Sequence, residues 1–206
     1  MTHISPKSYD LVIVGAGPSG TTCAYQLKDS GLKIAIIDKE VFPRDKICGD
    51  VLSADVMNQL IMIDSSVADG FDQMTAKQPS RGIRFVAPSF ELLDIPFTLP
   101  KNGGSPSFIA KGFDFDNYLF NQIKDQPNID IYQGVKIDDI INSNGRVIIK
   151  SKDQVFHAKM IAGSDGANSV VSRKLANSKI ERKHHMAGLR RYYKNVSGMH
   201  VDSHIE

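Results

Sequence analysis

The 206-residue sequence predicts an α/β fold with a parallel sheet at its centre, on three observations. An apolar run, YDLVIV, leads without a break into a glycine-rich turn, GAGPSG. A helix-patterned stretch then carries the chain to a second apolar run, LKIAIID, which closes on an acid. Much later, VFHAKMIAG runs into another glycine turn, GSDG, and again into a helix-like segment.

The first run, Tyr9 to Val14, shows no polar alternation, as expected of a strand buried on both faces. In the turn that follows, Gly15 permits the tight bend, Gly17 lets a pyrophosphate approach the backbone, and Gly20 lets the helix pack closely on the strand. Pro18 suits the first helical turn, where its missing N–H costs nothing. The helix start offers N–H groups and partial positive charge to phosphates. The helix is expected over TTCAYQLKDS with Gly31 as its C-cap, and the second strand over Leu32 to Asp38. Asp38 stands 23 residues after Gly15, where it can accept hydrogen bonds from ribose hydroxyls. A glycine motif alone is weak, but strand, turn, helix, strand and acid together define a Rossmann-like dinucleotide-binding unit. The motif leaves NAD and FAD undivided.

Beyond it, Ser53 to Ile63 has a cap-like serine and apolar Val56, Leu60 and Ile63 at helical spacing. Short strands are expected in RFVAP and ELLDIPF, then a loop over Lys101 to Ser107. A helix follows with Asp116 as N-cap and Leu119, Phe120 and Ile123 facing a core. Ile129 to Gly163 reads as a string of strands with a hairpin turn at Asn144-Gly145. The last strand closes on Gly163 to Gly166, where Asp165 is the natural hydroxyl acceptor. Ser169 opens a helix running to Ala176.

Apolar content of 41% and charged content of 23% are ordinary for a globular chain. No apolar run approaches a membrane span, and the first residues lack a secretory pattern. Cys23 and Cys48 lack metal-ligand spacing and are too few for a disulfide scaffold, so no metal and a cytoplasmic location are expected. Between Arg173 and Lys194 eight bases face one acid, a solvated face by the plainest reading. Tyr192 and Tyr193 would point to opposite sides of a strand, which argues against a base-stacking platform and against a nucleic-acid partner. His184-His185 reads as solvated loop.

GAGPSG with Asp38, PRDKICGD, GSDGANSVV and, more loosely, GLRRYYKNV resemble one family in order and spacing. It is the FAD-dependent oxidoreductases of the para-hydroxybenzoate hydroxylase fold, most nearly their geranylgeranyl reductase branch. The resemblance implies a Rossmann-like FAD-binding domain of the GR2 type with a β-meander insertion, over 1–77 and 113–178. Part of an antiparallel-sheet substrate domain would occupy 78–112 and 179–206. FAD would be held by Gly15, Gly17, Pro18, Ser19, Gly20, Asp38, Lys39, Arg44, Cys48, Gly49, Val135, Gly163, Asp165 and Gly166. Arg44 is expected near the phosphates or ribose, Lys39 beside the adenine edge, and Val135 against the adenine through its backbone. Asp165 is expected on ribityl or ribose hydroxyls. Cys48, the candidate catalytic residue, would lie near the isoalloxazine ring, where Gly49 allows close backbone approach.

The implied activity is hydride transfer from reduced flavin to an isoprenoid carbon–carbon double bond, with NAD(P)H or another donor as reductant. A small-molecule or isoprenoid lipid substrate carries with it an expectation of peripheral membrane contact. The alternatives are a monooxygenase or halogenase of the same fold, and a truncated, catalytically incomplete FAD-binding fragment. Halogenases carry a Trp-x-Trp-x-x-Pro stretch, and this chain has no tryptophan. The family pattern also departs at Ser172, where arginine is usual, and at Gly112 to Asp116, where glycine holds the usual arginine position. Relatives are expected to continue past Glu206 with a later Gly-Asp motif.

Overall fold

The computed structural model describes residues 5–48, 50–53, 55–98, 107–178, 181–184, 186–200 and 203–205. In chain order come β1 (Lys7–Val14), α1 (Pro18–Gln26), β2 (Ile34–Ile37), β3 (Val51–Leu52), α2 (Asp55–Ile63), α3 (Ser65–Asp72), β4 (Gln78–Ser80) and β5 (Gly82–Val86). Next are β6 (Leu92–Pro96), β7 (Ser107–Ile109), α4 (Gly112–Ile123), β8 (Ile129–Tyr132) and β9 (Ile137–Ser143). The last are β10 (Arg146–Ser151), β11 (Val155–Gly163), α5 (Val170–Leu175) and a 3-10 turn at Arg182–His184. Backbone packing divides the chain into two units, Met1–Arg44 with Asp116–Met186, and Asp45–Phe115 with Ala187–Glu206.

The first unit is built on a six-stranded sheet ordered β8-β2-β1-β11-β10-β9. The four strands β8, β2, β1 and β11 run parallel, and β10 and β9 extend the sheet as an antiparallel meander. The unbroken apolar runs do what their lack of alternation predicts. Val12, Val14, Ala35 and Ile37 feed one buried cluster, while Leu11, Ile13, Ile34 and Ile36 feed another. Successive residues of a strand face opposite sides, so both faces of the central strands are covered. The Asn144-Gly145 hairpin forms as expected, with φ of 49° and 74° at the two turn residues. Helix α1 ends earlier than the sequence suggests. Leu27 is its C-cap, its N–H donating to the Ala24 carbonyl while the Lys28 N–H donates to that of Tyr25, and Gly31 lies beyond at φ 73° in open space.

The second unit holds an antiparallel sheet ordered β3-β7-β4, a β5-β6 hairpin, and helices α2 and α3. The sequence reading left α3 out. Asp64 caps it by accepting from the Ser66 N–H at 2.9 Å, and Val67, Ala68 and Phe71 are its buried face. Phe71 meets the rings of Phe108 and Phe115 edge to face at 5.6 and 5.5 Å. Phe71 thus packs with β7 and the start of α4 within this unit. Most of the expected loop Lys101 to Ser107 lies outside the described residues, and Ser107 opens β7. Tyr192 and Tyr193 lie outside any strand, and both are exposed. The expectation that they point to opposite sides of a strand therefore fails.

Candidate functional site

Val14 pairs with Ile37 on one side and with Gly163 on the other. The turns that follow β1, β2 and β11 therefore leave the sheet side by side, at the carboxyl ends of parallel strands. Gly15 donates its N–H to the Ile37 carbonyl at 2.8 Å, and Ser164 donates its N–H to the Val14 carbonyl at 2.8 Å. Gly15 has φ +97°, and a Cβ there would come 2.3 Å from the Ser164 carbonyl oxygen. Only glycine fits that crossing. A Cβ on Gly20 would come 1.8 Å from the Gly15 carbonyl oxygen, so α1 lies directly on the turn.

Helix α1 starts with Pro18 after Gly17, which supplies no side-chain cap. The amides of Ser19 and Gly20 consequently have no helical carbonyl to bond and are open to an anion. Above Gly17 sits the Arg44 guanidinium, with Nη2 3.2 Å from where a Cβ would be. Arg44 is held there within the first unit by two contacts, the second of them backed by a ring stack. Its Nη1 is 3.0 Å from Asp116 Oδ2, its guanidinium carbon lies 5.0 Å from the Phe42 ring centre, and Phe42 stacks on Phe120 at 4.3 Å. Both members of the ion pair are largely buried.

Asp116 is a correction to the sequence reading. Helix α4 begins four residues before it, so Asp116 lies within the helix and turns its carboxylate to Arg44. The signal was present: Asp116 shares an inward stripe with Leu119, Phe120 and Ile123, all buried. An acid on an apolar stripe requires a buried partner.

Asp38 is 9% exposed and has each oxygen engaged by a backbone amide. Oδ2 accepts from Ala16 at 2.7 Å and Oδ1 from Glu40 at 2.9 Å. A carboxylate oxygen has two acceptor sites, so each can still take a ribose hydroxyl. Val135 donates its N–H to the Asp38 carbonyl at 2.9 Å, which leaves the Val135 carbonyl for any adenine contact. Lys39 is exposed, 3.9 Å from Glu40.

Asp165 divides its labour. Oδ2 accepts from the Val170 and Val171 amides at 2.5 and 3.3 Å, opening α5, while Ser169 caps it by accepting from Ser172. Oδ1 is buried and has no hydrogen-bond partner among the described residues. A buried carboxylate oxygen without a donor is costly, and a ligand hydroxyl would satisfy it. A Cβ on Gly163 would press on Val171 at 3.0 Å, and Gly166 has φ +75° in open space. The residues thus fit a flavin dinucleotide: hydroxyl acceptors at 38 and 165, with an amide-lined, guanidinium-topped phosphate turn between them.

Cys48 belongs to the second unit and is exposed, and Gly49 lies outside the described residues. Also in that unit, Asp94, His200 and His204 bring ligand-capable atoms within 4.8 Å of one another. Arg84 already takes both Asp94 oxygens, at 2.7 and 2.9 Å. The two imidazoles stack at 3.5 Å and 5°, so their in-plane lone pairs run parallel rather than converging on one point. The cluster is a guanidinium, a carboxylate and two stacked rings. Arg84 holds the Asp94 carboxyl down to about 2.

A flavin-dinucleotide fold with its phosphate turn, hydroxyl acceptors and β-meander defines the class. The chain belongs to the FAD binding domain family, which matches residues 8–198. It is 31% identical over 174 residues to the 1H-pyrrole-2-carbonyl-(peptidyl-carrier protein) brominase of Pseudoalteromonas luteoviolacea, covering 82% of this chain and 40% of that protein. It is 26% identical over 178 residues to the geranylgeranyl diphosphate reductase of Rhodobacter capsulatus, covering 84% and 41%. In fold it is similar to P. aeruginosa PqsL in complex with 2-aminobenzoylacetate, with a TM-score of 0.71 at 16% identity over 90% of this chain and 48% of that one. The chain spans less than half the length of these relatives. Among the described residues no helix is long and apolar enough to cross a membrane.

Proposed function

We propose that the protein is a flavin-dependent reductase of the geranylgeranyl reductase type, acting on an isoprenoid carbon–carbon double bond. The observation that carries the flavin part is the buried Oδ1 of Asp165, without a donor among the described residues, beside the Gly15 turn. When bound, FAD supplies the hydride chemistry, with NAD(P)H or another donor as reductant. The chain's own residues bind and orient it. The Ser19 and Gly20 amides receive the pyrophosphate, with Gly15, Gly17 and Pro18 shaping the turn and Arg44 adding charge-assisted donors. Asp38 takes the ribose, with Lys39 and the Val135 carbonyl at the adenine. Asp165, between Gly163 and Gly166, takes a ribityl hydroxyl. Cys48 is the candidate catalytic residue beside the substrate.

In this reading 1–77 and 113–178 serve the cofactor, and 78–112 with 179–206 serve an isoprenoid substrate drawn from a lipid surface. The similarity to the reductase of Rhodobacter capsulatus supports it. The higher identity to the Pseudoalteromonas luteoviolacea brominase favours a second reading, oxygen-dependent flavin chemistry. Turnover with a polyprenyl substrate separates the two. The reductase adds hydrogen across the double bond under strict anaerobiosis, and mass spectrometry reads the product. Product that forms only with oxygen overturns the reductase reading. Failure to retain FAD, read by flavin release on heating, overturns both.

A further inference from the structure

The loop from Asp45 to Asp50 carries Cys48, and within the second unit it is tied down from a distant part of the sequence. Arg190 Nη2 donates to both Asp45 oxygens at 2.7 and 2.6 Å. Arg190 Nη1 donates to the Lys46 carbonyl at 2.8 Å and stands 3.3 Å from Asp50 Oδ1. The Tyr192 hydroxyl donates to Asp50 Oδ2. Asp50 is 6% exposed and sits at φ +57°, an uncommon conformation for a residue other than glycine. Its Oδ1 also accepts from the Gly112 N–H at 2.9 Å, and its carbonyl accepts from the Ala110 N–H at 2.9 Å.

Arg190 and Lys111 both lie over the Tyr192 ring, at 4.9 and 5.5 Å from its centre. Of these side chains Arg190 is well covered, at 14% exposure, whereas Asp45 is 63% exposed. A buried acid at positive φ, with donors from two distant segments, fixes a backbone position rather than a surface charge pair.

We infer that Arg190 and Tyr192 are positioning residues for the Cys48 loop, acting through Asp45 and Asp50. They hold the stretch on either side of the thiol in one geometry. The assignment rests on the flavin reading above. Hydrogen bonding to Asp50 keeps the Tyr192 phenol above its ordinary value, so the hydroxyl remains a donor at neutral and mildly alkaline pH. Arg190→Lys keeps the charge but loses the planar fork that spans Asp45 and the Lys46 carbonyl, so it is expected to act as a loss-of-function change here.

Two readouts test the inference, one of them independent of flavin. The first is amide exchange at Gly112 and Ala110, whose N–H groups are bonded to Asp50. Tyr192→Phe deletes one hydroxyl and should speed their exchange about fivefold, with Arg190→Lys at least as large, while β1 and β2 amides are unchanged. The second is alkylation of Cys48 by iodoacetamide with and without saturating FAD, located by peptide mapping. Cys23 is a poor competitor, since burial pushes its thiol up.

FAD should slow alkylation of Cys48 in the parent, and Tyr192→Phe and Arg190→Lys should lose about fivefold of that protection while still binding FAD. Variants that retain full protection, or that leave Gly112 exchange untouched, overturn the positioning role. A parent in which FAD binds but gives Cys48 no protection overturns the placement of the loop at the flavin. A parent that binds no FAD overturns the flavin reading itself, and Gly112 exchange still decides whether the clamp exists. Should Arg190→Lys perturb β1 exchange, Tyr192→Phe alone decides.

Discussion

Two residues of the first unit carry tasks that a substitution can separate. Gly15 has no room for a side chain, at φ +97° with the Ser164 carbonyl 2.3 Å from the Cβ position. Gly15→Ala should cost about 3 kcal/mol or more in denaturant unfolding, since strain and overlap add. An unchanged midpoint would mean that the two turns do not touch. Arg44 couples stability to affinity. Arg44→Met removes the guanidinium from the buried Asp116 carboxylate and should cost about 3 kcal/mol. It should also weaken FAD binding about tenfold or more through the lost charge-assisted contact. The double variant Arg44→Met with Asp116→Leu should recover most of the stability and none of the affinity, as read by thermal unfolding beside fluorescence titration with FAD. Recovered affinity would remove Arg44 from the phosphate site.

At the level of elements, legibility followed how local the physics is. Strands β1 and β2 were readable because an unbroken apolar run has one explanation in an α/β chain, and the glycine turn because its three glycines answer three separate crowding problems. The Asn144-Gly145 hairpin was readable from two residues. Helix α3 was missed because its signal is a single capping acid, Asp64, before a short amphipathic stretch. Arg44–Asp116 and Arg190–Asp50 were missed because each joins residues far apart in sequence, and periodicity carries no information about such pairs. Gly31 misled because a glycine after a helix pattern invites a cap, whereas α1 had already closed on Leu27.

The β5-β6 hairpin gives an element-scale test. Arg84 pairs with Asp94 across the ladder and holds its carboxyl at about 2, below the ordinary carboxylate range. A depressed acid contributes stability above its unfolded value that is lost as pH falls through the folded one. Hairpin amide protection should therefore hold at pH 4 and fall toward pH 2. Arg84→Met should move the Asp94 carboxyl signal, followed by NMR, back to the usual range. A carboxyl that titrates normally in the parent would show that the pair does not form.

Across the whole molecule, FAD should act on stability by mass action. At a free concentration about 100 times its dissociation constant the gain is about 2.7 kcal/mol, visible as a concentration-dependent rise in Tm. Amide exchange should slow in β1, β2 and β11, which frame the turns; protection confined to the β3-β7-β4 sheet would place the ligand elsewhere. The strand order carries a last consequence. Strand β1 lies between β2, its close successor, and β11, which is reached only after every intervening element has been made. A nascent chain leaving the ribosome therefore presents half a nucleotide cradle early and completes it late, when Gly163 docks beside Val14. Until then the open flank of β1 is a strand edge that a chaperone, or a second nascent chain, could occupy.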